Sequence, residues 1–149
     1  MEPPLGRRLW LGHRAVHDAL DARMGERGAS LWHWILLKHA AEADGSSQRE
    51  LAENMHIEPP TLVRHLDKLA DEGLVERRRD DRDRRVARVF ITAAGRQRLR
   101  ELGRVQEEVD RELRSMLSDD EVEVLGATLM RIHEHFDHHE EERRVSNRS

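Results

Sequence analysis

Turn and capping signals over residues 47–92 occur in an order that leaves few folds open to this chain. Ser47-Gln-Arg-Glu50 is a capping box, in which the serine and the glutamate each satisfy a backbone amide at the start of a helix. Pro59-Pro60 begin a further helix, because proline is tolerated in a first turn, and Gly73 ends it. Two short runs that read as strands follow, the second with alternating residues, and a polar turn separates them. This order predicts a helix-turn-helix followed by a β-hairpin.

The predicted hairpin concentrates positive charge in a chain whose formal net charge is −4. Its strands are expected at 74–77 and 86–91. Seven arginines lie in or beside these strands: Arg77, Arg78, Arg79, Arg82, Arg84, Arg85 and Arg88. Four acidic residues lie among them: Glu76, Asp80, Asp81 and Asp83. Phosphates respond to charges within about 8–10 Å, so this local surplus indicates a surface that meets a polyanion.

Apolar residues recur at helical spacing on both sides of this segment, which predicts four more helices. They are expected at 5–26, 30–43, 92–117 and 118 to about 142, and the last three begin at a Ser or Thr cap. The polar tail beyond Glu142 is expected to fray. The fold class is therefore mainly α with a small β-hairpin.

The fourth helix divides into an apolar stripe and a polar face. The stripe is predicted to contain Leu62, Val63, Leu66 and Leu69. The polar face suits the major groove of DNA, which is about 12 Å wide and presents a distinct pattern for each base pair. On that face Arg64 can bind guanine, and Lys68 is better suited to phosphate. An arginine at the hairpin tip can enter the narrow minor groove.

The residues predicted to contact or support DNA binding are Ser47, Gln48, Pro60, Thr61, Arg64, His65, Lys68, Arg82, Asp83, Arg84 and Arg85. Asp83 is included as a brace, because two residues on from it on a strand Arg85 shares its face. The alternative for any single one of these cations is an ordinary solvated surface. An acidic pI of about 6.2 does not exclude DNA binding, because the local field decides it.

Composition narrows the class of protein. Charged residues make up 38% and hydrophobic residues 37% of the chain, which suits a subunit that buries apolar surface against a partner chain. No apolar run approaches the roughly 18 residues that span a membrane, and no signal-peptide segment is present, so we expect a cytoplasmic protein without a membrane partner. Zero cysteines exclude thiolate sensing and cysteine-zinc sites.

The chain resembles the MarR family of bacterial transcription regulators, and within it the SlyA-like branch. The matching segments are His33-Trp34-Ile35, Ser47-Gln-Arg-Glu-Leu-Ala52, Ile57-Glu-Pro-Pro-Thr-Leu-Val-Arg-His-Leu-Asp67, Gly73-Leu-Val, Asp80-Asp-Arg-Asp-Arg-Arg85 and Ile91-Thr-x-x-Gly95. They cover the whole helix-turn-helix and hairpin with matching spacings.

This resemblance implies a winged helix-turn-helix plus a helical dimerisation domain within one subunit, residues 1–149. The DNA-binding lobe is expected at 30–92, with dimerisation helices at 5–28 and 93–142. A recognition helix at 59–72 and a wing at 76–90 then carry the DNA contacts. The resemblance places Arg64 at the recognition-helix arginine, Arg85 at the wing arginine and Asp83 as its supporting acid. A homodimeric repressor is expected at a pseudo-palindromic operator, with half-sites about 10 bp apart.

The resemblance also implies a small aromatic or carboxylate effector held between the dimerisation helices and the DNA-binding lobe. The candidate lining residues are Trp10, Trp32 and Trp34, with His13, Lys38 and His39 nearby in sequence. They would supply aromatic walls and a cation for a carboxylate. Plain core packing of the tryptophans explains the same residues equally well.

Histidines suggest one further kind of site. His13 and His17 are four residues apart on the first helix, and His135 and His139 are four apart on the sixth, a spacing that can chelate a divalent metal. The alternative is a solvated face of mixed charge, so no metal and no cofactor is expected.

Two other classes of function compete with DNA binding. An enzyme is disfavoured, because no catalytic triad, paired carboxylates or glycine-rich phosphate loop has supporting context. A winged helix used only for protein–protein contact remains open, and it differs in predicting that Arg64 is dispensable for target binding.

Overall fold

The structure, a computed structural model, describes residues 1–146 without the side chains of 139–142 and 144–146. Its contacts divide the chain into two units, Met1–Val109 and Asp110–Ser149. Within the described part, the helices and strands are α1 Leu5–Gly25, α2 Leu31–Glu42, α3 Gln48–Asn54, α4 Pro59–Asp71, β1 Val75–Arg79, β2 Ala87–Ile91, α5 Ala93–Ser115 and α6 Asp119–Ser146. The predicted fold class, mainly helical with a small hairpin, is confirmed.

Local capping signals set the helix boundaries. In the box before α3, the Glu50 amide donates to Ser47 Oγ at 3.1 Å and the Ser47 amide donates to a Glu50 carboxylate oxygen at 2.7 Å. Ser118 and Glu121 repeat this arrangement before α6, at 3.2 and 2.8 Å. Gly73 ends α4 with φ of +72°, a conformation that glycine adopts without strain. These predicted boundaries are confirmed.

The core of the first unit joins all of its helices to the hairpin. Its fully buried side chains are Met24, Leu36, Leu37, Leu51, Leu62, Leu66, Leu69, Val89, Leu102 and Val105. They come from α1, α2, α3, α4, β2 and α5, and each buried leucine contributes about 1.5–3 kcal/mol by leaving water. The hairpin and the helix-turn-helix therefore share one core.

A short segment before α3 fixes the hairpin against the helices. The Gly45 amide donates to the Val89 carbonyl at 2.8 Å, and the Val89 amide donates to the Ser46 carbonyl at 2.9 Å. The antiparallel strands pair from Val75 opposite Ile91 to Arg79 opposite Ala87. Because 44–47 runs along β2 like a short third strand, the hairpin is held to the start of α3.

Several predicted limits were wrong. The first strand was expected at 74–77 but spans Val75–Arg79, because the Asp80 amide bonds the Val86 carbonyl and extends the pairing. Helix α6 continues to Ser146 instead of fraying beyond Glu142, since it contains no proline and no glycine follows Gly126. Val63 is only half-buried, because it borders a concave surface between α3, α4 and the hairpin. No helix in the described residues is long and apolar enough to cross a bilayer.

Candidate nucleic-acid interface

Helix α4 presents two cations that are free of acidic partners. Arg64 and Lys68 are both exposed, and neither forms an ion pair with a residue that the structure describes. Pro60 is exposed in the first turn and Thr61 is half-buried. The exposed side of α4 is therefore polar, as predicted, and its two cations are available to a polyanion.

His65 on the same helix is not freely presented, because it stacks on Trp32 of α2. The two ring centroids are 5.5 Å apart and the rings are inclined by only 16°. Burial lowers the pKa of His65 from its ordinary value, and the neighbouring charges of Arg64 and Lys68 lower it further. Trp32 was predicted to line the ligand cleft, and no local signal could have paired two residues so far apart in the chain.

Ser47 and Gln48 lie at the start of α3, beside a concavity of about 380 Å³ that Arg79 and Arg85 also line. The Ser47 hydroxyl is engaged in the capping box, so its oxygen already accepts a hydrogen bond. The Gln48 side-chain oxygen is buried and has no hydrogen-bond partner among the described residues. Of the two, only Gln48 has an unused polar atom at this edge.

The wing turn contains the predicted Asp83–Arg85 pair, but the geometry behind it is different. Arg85 donates to both carboxylate oxygens of Asp83, at 3.0 and 3.2 Å, and the Arg85 amide also donates to Asp83 at 3.0 Å. Both residues lie in the turn between β1 and β2, so the expected alternation along a strand is wrong. A turn, in which a carboxylate bonds the amide two residues on, makes the pair instead.

Asp80 organises the turn from within, a role that the sequence analysis missed. Its carboxylate accepts from the backbone amides of Arg82 at 2.8 Å and Asp83 at 3.0 Å, and from the Arg88 guanidinium. Arg88 also donates to the Gly45 carbonyl at 3.0 Å. The hydrogen bond from Arg88, followed by the two backbone bonds, lowers the pKa of Asp80 to about 2. The turn is thereby tied to the segment before α3.

The seven arginines of the hairpin divide into two groups. Four are paired with acids: Arg77 with Asp67 at 2.6 Å, Arg78 with Glu76 at 2.7 Å, Arg85 with Asp83, and Arg88 with Asp80. The other three, Arg79, Arg82 and Arg84, are exposed and form no ion pair with any described residue. The acids therefore hold four of the arginines in place, and the other three stay exposed.

The candidate ligand residues have separate neighbours. Lys38 lies over the Trp34 ring at 5.4 Å, and a Cβ on Gly103 of α5 would be 3.9 Å from the Trp34 ring nitrogen. Trp10 is exposed on α1 with the Arg14 guanidinium over it at 5.3 Å. His39 is half-buried and His13 exposed. The structure brings Trp34 and Lys38 together, and the cleft stays a prediction.

The histidine pairs give no complete metal site in the part of the chain that is described. The His13 and His17 rings are 6.0 Å apart, and His135 meets Phe136 edge to face at 5.0 Å. The side chain of His139 lies outside the described residues. No group of three or more potential ligands occurs among the described side chains.

The sequence and the fold are both similar to those of known MarR-type proteins. Residues 30–87 match the sequence model of the MarR family. A mutant of E. coli MarR in complex with operator DNA is similar at 25% identity, over 87% of this chain and 93% of that one, with a TM-score of 0.77. A MarR transcriptional regulator from Methanosarcina mazei is 26% identical over 88% and 94%, with a TM-score of 0.76. The S. aureus MepR–DNA complex is 21% identical over 88% and 97%, with a TM-score of 0.76.

These matches cover the recognition helix and most of the wing, and the structural likeness extends over the flanking helices. They do not separate the branches of the family, so the SlyA-like assignment stays a prediction. Residues 30–87 therefore match the MarR family model, and the fold of the chain is similar to that of the solved MarR-type regulators.

Proposed function

We propose that this chain is a DNA-binding transcription regulator that acts as a homodimer on a pseudo-palindromic operator. The observation that carries the proposal is the set of exposed cations on α4 and the wing that form no ion pair with any described residue: Arg64, Lys68, Arg79, Arg82 and Arg84. Such a set attracts phosphates even though the whole chain is acidic. Structurally similar MarR and MepR proteins are known in complex with DNA.

The two groups of cations have different tasks in this proposal. Helix α4, with residues 59–72, enters the major groove, where the fork of Arg64 matches guanine O6 and N7 and Lys68 contacts phosphate. The wing, residues 76–90, reaches the adjacent minor groove through Arg82, Arg84 or Arg85. Ser47, Gln48 and Thr61 complete the contacts at the helix starts.

Exposed apolar side chains support the homodimer. On α1 they are Leu5, Trp10 and Leu11, and on α6 they are Val124, Leu125, Leu129, Met130 and Phe136. Large apolar side chains at the surface of a single chain mark a surface that a partner covers. Helices 5–28 and 93–142 thus form the dimerisation domain, and two lobes, residues 30–92, face half-sites about one helical turn apart.

The regulator works in the cytoplasm as a repressor, and a small aromatic or carboxylate effector modulates it. Trp34 and Lys38 support the effector, because an aromatic ring beside an ammonium suits a compound of that chemistry. An effector that binds better to one spacing of the two recognition helices shifts the population toward that spacing. No cofactor and no catalytic activity belong to this proposal.

Binding to selected duplexes tests the proposal. The purified protein is given a random duplex library, and the affinity for the enriched sequence is measured for wild type, Arg64→Ala and Arg104→Ala. We expect Arg64→Ala to lose about 1–3 kcal/mol and to relax the preference at one base pair per half-site. Arg104 is exposed on α5 and belongs neither to α4 nor to the wing, so its replacement should change the affinity for DNA little.

Two results would contradict the proposal. One is a wild-type protein that enriches no sequence from the library. The other is an Arg64→Ala variant that binds its target as tightly as wild type does, which would favour a winged helix used for protein contact.

A further inference from the structure

Trp32 stands on a fixed platform at the start of α2. The Ser30 amide donates to His33 Nδ1 at 3.1 Å, and the His33 amide donates to Ser30 Oγ at 3.2 Å, which closes a capping box with histidine in the place of glutamate. The Leu31 amide donates to Asp21 of α1 at 2.8 Å. These bonds anchor both neighbours of Trp32, so its indole is presented to α4 from a rigid backbone.

The partner of Trp32 lies within the proposed reading surface. His65 is half-buried and is flanked on α4 by Arg64, which precedes it, and by Lys68 one turn on. Its ring is nearly parallel to the indole, with centroids 5.5 Å apart. Stacking covers a face of the imidazole. The ring forms its hydrogen bonds at its edge, through the two nitrogens, which a covered face does not block.

We propose that Trp32 is a positioning residue for base recognition, which holds His65 by stacking so that a ring nitrogen of the imidazole can accept a hydrogen bond from a base edge. The inference rests on the proposed DNA-binding function and adds a specificity determinant to it. The surplus of cations explains attraction to phosphate, whereas an acceptor on α4 reads the exocyclic amino groups of adenine or cytosine.

The charges around His65 favour the neutral ring. On its own helix the flanking side chains are cationic, Arg64 and Lys68, and they lower the pKa of His65 after the larger effect of burial. From α2 it faces the uncharged indole of Trp32 and the buried His33, whose own pKa is also lowered, first by burial and then by Lys68. No carboxylate contributes to the shift of His65. The lowered pKa means that the imidazole of His65 gains its proton at a lower pH than an ordinary histidine does.

Protonation changes what the ring can recognise. A neutral imidazole accepts one hydrogen bond and donates another, whereas the imidazolium only donates. Preference for a base pair with an amino group should be strong near pH 8 and should weaken by about fivefold near pH 5.5, as expected for the loss of one hydrogen bond. Affinity for unselected duplex should rise over the same range, because a positive charge is added to the surface.

Tryptophan fluorescence tests the stack without any DNA. Emission of wild type, His65→Gln and Trp32→Phe is followed from about pH 8 to about pH 5.5. We expect a quenching step as the imidazole in contact with the indole becomes charged, and both variants should lack it. A step of the same size in His65→Gln, or no step in wild type, would overturn the stack.

Duplex selection tests the consequence for recognition. Enrichment from a random duplex library is compared at the two pH values for wild type, Trp32→Phe and Trp32→Leu, with each variant's unfolding midpoint as a check of the fold. Phenylalanine retains a ring to stack on His65 and should retain the preference, whereas leucine, also apolar, should lose it by about fivefold at one position. Retention of that preference by Trp32→Leu sinks the inference.

The two experiments distinguish a failure of the proposed DNA-binding function from a failure of the positioning role of Trp32. If wild type shows the fluorescence step but enriches no duplex, the stack exists and the proposed function has failed, and the role in base recognition with it. If wild type enriches a sequence that is unaffected by Trp32→Leu, the DNA-binding function stands and the positioning role alone is wrong.

Discussion

At the scale of single residues, the acids of the wing turn organise the arginines around them. Asp80 bonds two backbone amides and the Arg88 side chain, and its own side chain is only 14% exposed. Arg88 in turn bonds Gly45. A carboxylate in this position keeps long side chains in one orientation, which reduces the conformational entropy lost when they bind. We therefore expect the net effect of its negative charge on DNA binding to be favourable.

Replacement of Asp80 by asparagine should weaken DNA binding by about tenfold, although it removes a negative charge from the wing. The neutral amide cannot hold Arg88 as a carboxylate does, so the turn loses its fixed shape. Asp81 is the matched control, because it is an exposed neighbour with no bond to another described residue. Asp81→Asn should bind DNA as well as wild type or slightly better. Equal behaviour of the two variants in an affinity titration would contradict this role.

The pH dependence of the wing follows from the same residue. The pKa of Asp80 is about 2 in the folded protein, below its ordinary value. The charged carboxylate therefore stabilises the wing turn fully above about pH 4, and this stabilisation is lost as the pH falls toward 2. Hydrogen exchange at the Arg82 and Asp83 amides reports the change directly, and in Asp80→Asn this part of the pH dependence should be absent.

At the scale of elements, the hairpin is joined to α5 by a close approach of two backbones. Thr92 Oγ1 donates to the Gly73 carbonyl at 2.7 Å and accepts from the Gly95 amide at 2.9 Å. A Cβ on Gly95 would overlap the Leu74 carbonyl oxygen and would be 2.8 Å from Ile91 Cγ1. The end of α4, the hairpin and the start of α5 thus meet at a point that admits glycine alone.

Gly95→Ala should destabilise the protein by about 1–3 kcal/mol, since a backbone carbonyl cannot move aside as a flexible side chain can. Denaturant unfolding measures the loss. Gly6→Ala is the matched control: Gly6 lies in the first turn of α1, where an added Cβ meets nothing within 4 Å, so stability should not fall. Equal unfolding midpoints for Gly95→Ala and wild type would contradict the close approach.

At the scale of the whole molecule, a low apolar content and exposed apolar helices belong together. Hydrophobic residues are only 37% of the chain, yet Leu125 and Leu129 of α6 are 45% and 43% exposed. A chain with few apolar residues keeps them exposed only at an energetic cost, which a second copy removes by covering them.

Leu125→Glu combined with Leu129→Glu should therefore turn a dimer into a monomer, which sedimentation at several protein concentrations would show. Operator affinity should fall with it, since a monomer reaches one half-site. Glu134→Gln, an exposed change on the same helix, should leave the dimer intact. A double variant that sediments as wild type does would argue against α6 as the dimer surface.

Elements were predictable from the sequence because their signals are local. The capping boxes at Ser47 and Ser118, the prolines that begin α4 and the glycine that ends it act within a few residues along the chain, so their effect is visible in the sequence. The hairpin was predicted for the same reason, although hydrogen bonds beyond the strands themselves set its exact length.

The state of each functional side chain was decided by the tertiary structure. Arg77 and Arg84 look equivalent in the sequence, yet Arg77 is paired with Asp67 of α4 and Arg84 is unpaired among the described residues. His65 was assigned to the reading surface from its helix face, but its stack on Trp32 depends on how α2 packs against α4. Composition and local order therefore determined which elements form and where positive charge gathers. The fold decided which charges stay free, because Coulomb and stacking energies depend on distances in space that sequence spacing does not set.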